Sequence, residues 1–282
     1  MKNKIKWQFF AAIFLFSLLN LHSKENKKFE YFIKKLYQDR LEAINDPVLA
    51  IELLNPSITY NSTKLPNSFG LQIDYGFSRE STEFYYEDFF YHSHEFAYGG
   101  NISSKIYPNN DDSRILDSWR FGMGWQNGYG YNFNKFKVYL IHRGTFDWTN
   151  LKLNFPTNEA NMNKLEGNLR FGTSFASGIM ISIAEPFNLG FYYEKSQIQP
   201  RYTFLNQIVS WGLENALQRA PDIFEEELVK EFQNYYPILY FIYKSSVSYL
   251  LYELRENNMN FPINSSNPLV IESFKVDLRF IF

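Results

Sequence analysis

The residues best suited to metal chemistry are two histidines in an aromatic stretch of the chain. His92 and His94 are two positions apart, so on a strand both imidazoles would lie on one face. Together with a carboxylate from Glu87 or Asp88, they would form a donor set that zinc accepts. The alternative is a polar turn among aromatic residues. We predict no metal site and keep His92 and His94 as the candidates for one.

The same stretch also contains the residue types of a hydrolytic triad, because Ser93 and Glu95 alternate with the two histidines. Residues adjacent in sequence seldom form a working triad. The chain contains no cysteine, which excludes a cysteine nucleophile, a thiolate metal site and a disulfide. We therefore predict no catalytic residues and no cofactor.

A larger set of charged residues alternates with apolar residues and is expected to line a lumen. This set consists of Asp74, Arg120, Lys137, Arg143, Asp147, Arg170, Glu194, Lys275, Asp277 and Arg279. Buried charges of both signs must pair with each other or stay hydrated. The set therefore predicts a closed interior held by salt bridges, with a narrow polar pore as the alternative.

The elements that would position these charges are strands, because large and small residues alternate with period two. In segment 119–133, Trp119, Phe121, Met123 and Trp125 alternate with glycine or polar residues. Phe, Tyr and Trp make up 20% of the chain, which is more than a soluble domain can use. A membrane barrel places such rings on its lipid face and in interfacial girdles. The sequence predicts the membrane β class, as an antiparallel up-and-down transmembrane β-barrel.

The last strand of the chain alternates apolar and charged residues and finishes on an aromatic ring. Its apolar residues are Phe274, Val276, Leu278, Phe280 and Phe282. This pattern resembles the C-terminal β-signal of Gram-negative outer-membrane proteins. The resemblance covers residues 273–282 and implies insertion by the barrel-assembly machinery. It predicts that the protein resides in the bacterial outer membrane, surrounded by outer-membrane lipid.

The alternation predicts eight strands, and ten is the alternative. The predicted spans are 68–79, 82–91, 95–107, 118–133, 136–150, 167–183, 187–202 and 273–282. Bacterial single-chain barrels have an even number of strands, with short periplasmic turns and longer outer loops. These spans give short connections on one side and mostly long ones on the other, which favours eight strands.

Residues 204–257 break the strand pattern and carry helical periodicity, divided by Pro221 and Pro237. Side chains fill the lumen of an eight-stranded barrel, which leaves no room for helices. We expect the insert to form a cap outside the lumen on the extracellular side, or to lie in the interface; a plug in a wider barrel is the alternative. The last helix should bury Leu239, Ile242, Leu250 and Leu254 against the other helices or the outer leaflet.

The N-terminal region predicts a leader and a helical segment before the barrel. Residues 1–23 combine basic residues at Lys2, Lys4 and Lys6 with an apolar run, as in a signal peptide cleaved near Ser23. Residues 24–67 are predicted to form a helical segment and linker, with Val48 to Leu54 as a second short helix. The barrel with its insert is predicted over 68–282.

The charge balance also bears on partners, because a net charge of −2 gives no basic excess for nucleic acid. The sequence favours an outer-membrane barrel of structural or interaction type, with a protein or lipid partner bound through 204–257. One alternative is a small-solute or lipid transporter with the insert as plug or cap. A second alternative is a lipid-acting enzyme.

Overall fold

The structure, a computed structural model, describes residues 46–81, 89–106, 115–154, 166–184, 186–200 and 204–282. Within these ranges, eight long strands form one antiparallel sheet in chain order. They are β1 (Asp46–Tyr60), β2 (Phe69–Ser81), β3 (Phe89–Ser103), β4 (Ile115–Phe133), β5 (Phe136–Asn154), β6 (Leu169–Ala184), β7 (Phe187–Ile198) and β8 (Leu269–Ile281). A two-residue strand, Thr63–Lys64, pairs with the end of β1.

The sheet closes on itself because β1 pairs with both β2 and β8. Val48 lies opposite Gly76 on β2 and opposite Ile281 on β8. Closure removes the unpaired strand edges that an open sheet would expose. The predicted fold, an up-and-down transmembrane β-barrel with a helical insert before the last strand, is confirmed.

The two faces of the barrel wall differ as the alternation predicts. On β4, Trp119, Phe121 and Met123 are more than half exposed on the outer face. Their neighbours Arg120 and Gly122 are buried on the inner face. Large apolar side chains around the outside are what a hydrocarbon environment stabilises.

The first strand is a correction to the sequence analysis. Val48 to Leu54 was expected to be helical and the barrel to begin at residue 68, whereas β1 begins at Asp46. A short apolar run satisfies a helix and a buried strand equally well, so periodicity alone does not separate them. This segment forms a strand because it hydrogen-bonds to β2 and β8, which are distant in sequence.

A second correction concerns the predicted strands 82–91 and 95–107. Over residues 89–103 the structure has one strand, β3, which runs straight through the expected turn at His92–His94. Residues 82–88 lie outside the described residues, as do the predicted signal peptide and the part of the helical segment before residue 46. The count of eight is confirmed, because β1 replaces the strand that is lost.

The connections divide the barrel into a short-turn side and a long-loop side. Two residues separate β4 from β5 and β6 from β7, whereas 104–114, 155–168 and 199–268 are long connections. The amide of Phe282 donates to the carbonyl oxygen of Pro47 at 2.9 Å, so both ends of the barrel lie on the short-turn side. The helical insert leaves and rejoins the barrel on the long-loop side.

The insert consists of α1 (Phe204–Gln218), α2 (Ala220–Ile223), α3 (Glu225–Phe232), a 3-10 turn at Gln233–Tyr235 and α4 (Tyr236–Arg255). Pro221 and Pro237 lie in the first turns of α2 and α4, where a missing amide hydrogen costs no helical bond. The helices α1 and α4 pack against each other, and we call residues 204–255 the helical hairpin. Among the described residues, no helix has both the length and the apolar character of a membrane-spanning one.

Candidate functional site

A layer of paired charges fills the middle of the lumen. The Glu52 carboxylate on β1 accepts hydrogen bonds from Arg143 on β5 and from Lys275 on β8, the latter at 3.0 Å. A second contact of Arg143 reaches the Asp74 carboxylate at 3.3 Å. These side chains are almost completely buried. Each charge therefore depends on partners from other strands to offset its loss of hydration.

The same layer extends across the lumen to β4 and β7. The Arg120 guanidinium is 2.8 Å from the Glu194 carboxylate and 2.7 Å from the side-chain oxygen of Gln72. The Lys275 ammonium lies 2.5 Å from Glu194. Because Lys275 bonds to both Glu52 and Glu194, the ion pairs form one connected network.

The two candidate histidines lie in the lumen, on the short-turn side of this network. The Arg279 guanidinium donates to Asp277 at 2.7 Å and lies 3.3 Å from Nδ1 of His94. Nε2 of His92 is 3.3 Å from the side-chain amide nitrogen of Gln126. In the described residues, no group of three or more potential ligands is arranged to hold a metal ion. Glu87 and Asp88 lie outside those residues.

The hydrolytic constellation is not brought together. The alternation of β3 buries His92 and His94 on the inner face and leaves Ser93 and Glu95 on the outer face. The wall of the barrel therefore separates the hydroxyl and the carboxylate from both imidazoles.

Apolar side chains close the lumen above and below the charges. On the long-loop side they form a buried cluster of Ile58, Tyr60, Leu65, Ile102, Leu116, Leu151, Leu153, Ile198, Leu269 and Ile271. On the short-turn side the buried cluster consists of Phe90, Tyr139, Ile141, Ala176, Met180 and Tyr192. The described part of the lumen is thus filled in three layers, as is usual for a barrel of eight strands.

The predicted lumen residues occupy two kinds of position. Asp74, Arg120, Arg143, Glu194, Lys275, Asp277 and Arg279 belong to the buried network, and Asp147 is buried near it, beside Thr149. Arg170 lies at the long-loop rim, where it donates to the carbonyl oxygen of Pro200 at 2.8 Å. Lys137 lies at the short-turn rim and pairs with Glu80 at 2.6 Å.

Glu52 contacts both Arg143 and Lys275 but was not among the residues predicted from the sequence to line the lumen. The sequence does contain a feature that could have identified it. Glu52 is the one charged residue between Val48 and Asn55, and its neighbours are the apolar Ile51 and Leu53. Such a residue fits a strand with one polar face. The helical assignment of this segment concealed that pattern.

The helical hairpin covers the outer wall of the barrel from the short-turn end of β3 to β7. Tyr129, on the outer face of β4, packs edge-on against Tyr236 and Tyr240 of α4, with ring centroids 5.3 and 5.0 Å away. Near the other end of α4, Tyr252 packs against the outward ring of Phe175 on β6, at 4.9 Å. The helix α4 therefore runs from the short-turn half of β4 toward the long-loop half of β7.

Polar residues of the wall bond to the hairpin where it covers them. Nε2 of His142, on the outer face of β5, is 2.9 Å from the hydroxyl of Ser248. On β7, Gln197 donates to the carbonyl oxygen of Tyr252 at 2.8 Å. The Lys195 ammonium contacts the carboxylates of Glu253 on α4 and Glu272 on β8. These wall residues are buried although they face outward.

The bare part of the outer wall has a different composition. Its exposed large apolar side chains on β1, β2 and β8 are Ile51, Leu53, Leu71, Ile73, Tyr75, Phe77, Phe274, Val276 and Leu278. Polar residues also face outward here, at Asn55 on β1 and Glu95 on β3. Unlike His142, Lys195 and Gln197, these two residues are exposed and the hairpin does not cover them.

The position of the hairpin corrects two expectations. A plug inside the lumen is wrong, because the helices contact outward side chains of the wall. The expected position outside the lumen is correct, but α4 lies along the wall of the barrel and does not form a cap. Leu239 and Ile242, expected to bury against the other helices or the outer leaflet, are 42% and 53% exposed and do not pack on the other helices, where Val247 and Leu251 are buried instead. Contact of Leu239 and Ile242 with the outer leaflet stays a prediction.

The terminal strand β8 closes the barrel against β1. Its predicted signal residues Phe274, Val276 and Leu278 are exposed on the outer face, and Phe282 lies at the short-turn end beside Pro47. This placement says nothing about recognition, so the assembly signal stays a prediction.

No protein-family model and no curated protein matches this chain. Among solved structures, the Neisserial surface protein A is similar, with 9% identity over 84% of this chain and 97% of that one, at a TM-score of 0.38. Ail, the attachment invasion locus protein of Yersinia pestis, has 6% identity over 85% and 100%, at a TM-score of 0.35. The translocator domain of the autotransporter NalP from Neisseria meningitidis has 8% identity over 91% and 96%, at a TM-score of 0.22.

Likenesses this distant carry nothing about activity. The class of protein is defined by the chain's own strand pairing and by its outer wall. It is a closed, eight-stranded barrel of the transmembrane kind.

Proposed function

We propose that the protein is a closed barrel of the bacterial outer membrane that acts as a structural or interaction protein, through its outer surface and long loops. The observation that carries this proposal is the filled lumen. Glu52, Arg143, Lys275 and Glu194 are bonded to one another from four strands. A continuous water path would have to separate these ion pairs, so solute conduction is not the function that the interior supports.

The connections support an orientation in that membrane. Single-chain outer-membrane barrels keep both ends and their short turns in the periplasm. Pro47 and Phe282 meet on the short-turn side, so we assign that side to the periplasm. The connections 104–114 and 155–168 and the base of the helical hairpin would then face the cell exterior, where partners are met.

The two alternative functions have less support. A transporter with the insert as plug needs helices in the lumen, and the hairpin lies outside it. A lipid-acting enzyme needs an accessible nucleophile near a base, and Ser93 and His92 lie on opposite faces of β3. Ser248 and His142 are 2.9 Å apart, but they are buried between α4 and the wall, where Gln218 also bonds to the Ser248 hydroxyl.

Conductance of the refolded protein in planar bilayers tests the proposal. The wild-type protein should give no discrete current steps. Replacing Arg143 by Ala leaves Glu52 and Asp74 without their guanidinium partner, and we expect water to enter and brief current steps to appear. The matched control is Lys137→Ala at the rim, where the side chain is already 34% exposed, and it should behave like the wild type. Stable steps of one size from the wild-type protein would overturn the closed-barrel proposal.

A further inference from the structure

We propose that α1 and α4 of the helical hairpin are embedded in the membrane beside the barrel and that their outer face binds lipid hydrocarbon. The helix α3, which exposes Glu227, Lys230 and Glu231, would lie outside the hydrocarbon. The proposal rests on the membrane location proposed above. Its new content is that one surface of the insert binds lipid acyl chains. The surface consists of Val209 and Trp211 on α1 and Ile238, Leu239, Ile242 and Tyr249 on α4.

The helix α4 has the polarity of a segment that faces hydrocarbon. Its cationic residues Lys244 and Arg255 are buried, each only 3% exposed, and its one carboxylate, Glu253, contacts Lys195 of the wall. Ile238, Leu239 and Ile242 are between 42% and 53% exposed on the opposite face. A helix surrounded by water is stable with the reverse distribution, apolar side in and charged side out. If hydrocarbon surrounds the outer face, the exposed apolar side chains of α4 lie in a medium that stabilises them.

The buried charges have partners within the hairpin. The Lys244 ammonium lies 3.2 Å from the Asp222 carboxylate. The Arg255 guanidinium is 2.6 Å from the Glu214 carboxylate and donates to the hydroxyl of Ser210 at 2.9 Å. In hydrocarbon an unpaired charge is expensive and is expected to turn toward protein partners. These contacts with α1 and α2 satisfy that requirement inside the hairpin.

The wall under the hairpin requires this cover. His142, Lys195 and Gln197 face outward from the strands and would meet hydrocarbon directly if the hairpin were absent. With the hairpin in place, their polar groups bond to Ser248, Glu253 and the backbone of Tyr252. The helices therefore take the place of lipid on this side of the barrel.

The outer face of the hairpin continues the bare wall of the barrel. Trp211 packs against the outward ring of Phe146 on β5, with centroids 5.8 Å apart, and is itself 39% exposed. The adjoining exposed residues of β4 are Trp119, Phe121 and Met123. At a rise of about 1.5 Å per residue, the 20 residues of α4 span about 30 Å, the thickness of a bilayer's hydrocarbon core. The apolar surface continues from the barrel wall onto the hairpin, and α4 is as long as the hydrocarbon core is thick. Both observations favour lipid over a small partner as the ligand of this surface.

The absence of cysteine from the chain makes a site-directed probe practicable. Ile242→Cys is labelled with an environment-sensitive fluorophore in phosphatidylcholine vesicles. Nitroxide-labelled acyl chains should quench its fluorescence, and iodide should quench it several-fold less than it quenches the same label at Asn264→Cys. Leu239→Cys, one turn away, is a second variant in case the first does not fold. Phe121→Cys on the bare wall is the control for lipid contact, and Asn264→Cys in the return loop is the control for water. Heat-modifiable gel migration checks that each variant is folded.

The outcomes separate the two proposals. Iodide quenching of Ile242→Cys, with lipid quenching of Phe121→Cys retained, would overturn the embedded hairpin and leave the membrane barrel intact. Iodide quenching of both would overturn the membrane location as well. Efficient disulfide formation between Ile242→Cys chains at high lipid-to-protein ratio would show a second copy on this face, and would overturn lipid as its ligand.

Discussion

Arg143 shows how the interior depends on single residues. Its guanidinium bonds to Glu52 on β1, Asp74 on β2 and Gln126 on β4. Arg143→Ala removes the guanidinium from two buried carboxylates, of which Glu52 keeps Lys275, and breaking a buried pair costs about 3–5 kcal/mol. We expect a loss of that size in the free energy of unfolding, measured by urea titration in lipid vesicles.

The control for this prediction is the ion pair between Lys137 and Glu80, which is 2.6 Å long and partly exposed. Exposed pairs contribute about 0–1 kcal/mol, so Lys137→Ala should change the free energy of unfolding little. Similar losses for Arg143→Ala and Lys137→Ala would contradict the view that the buried network stabilises the barrel.

Glycine at position 128 is required by close packing inside the wall. A Cβ atom there would overlap the carbonyl oxygen of Leu140 on the paired strand, and backbone cannot move aside as a side chain can. Gly128→Ala should therefore lower the free energy of unfolding by roughly 1–3 kcal/mol, the usual cost of overpacking. Gly99→Ala is the control, since a Cβ there meets nothing within 4 Å. Equal stability of the two variants in the same titration would refute the steric argument.

At the scale of elements, β8 combines barrel closure with a predicted signal for assembly. Deleting Phe282 should leave the protein periplasmic and degraded, measured by cell fractionation, because the terminal ring resembles the element recognised by the assembly machinery. Phe282→Tyr keeps the ring and should restore outer-membrane levels.

A third variant separates recognition of the terminal ring by the assembly machinery from the role of residue 282 in closing the barrel. Phe282→Ser keeps the backbone hydrogen bond to Pro47 but removes the ring. Normal outer-membrane levels of this variant would show that the backbone bond, and not the aromatic ring, is what the last residue supplies.

At the scale of the whole molecule, barrel and hairpin depend on each other. Replacing 204–255 with a short glycine-serine linker would expose His142, Lys195 and Gln197 to hydrocarbon. The cost of a Lys facing lipid is about 2–4 kcal/mol at the midplane and about 0–1 kcal/mol near the interfaces. We expect the shortened barrel to have a lower free energy of unfolding in vesicles than the full chain.

Substitutions at the three wall residues provide a control. Their effect on the free energy of unfolding should have opposite signs in the shortened barrel and in the full chain. His142→Leu, Lys195→Leu and Gln197→Val, made together, should stabilise the shortened barrel because they restore an apolar wall. In the full chain the same changes remove the bonds to Ser248, Glu253 and Tyr252, and should destabilise it. A loss of stability in both backgrounds would argue against lipid contact at this part of the wall.

The sequence by itself determined the class of fold and most of the strands. Alternation in 119–133 and in 273–282 is a local property of a wall with one apolar and one polar face, so it can be read without knowing the neighbours. The same parity predicted inward positions for Asp74, Arg120, Glu194 and Lys275, and the structure joins them in one network. Helical periodicity over 204–257 likewise marked the insert.

Only the tertiary structure decided β1, the partner of each charge and the position of the helical hairpin. The segment Val48 to Leu54 becomes a strand because β2 and β8 bond to it, and both partners are distant in sequence. Glu52 entered the network with it. The amphipathic pattern of α4 shows two faces but not which medium each one meets. The tertiary structure places one face of α4 against β5, where Ser248 bonds to His142, and supplies partners for Lys244 from α2 and for Arg255 from α1.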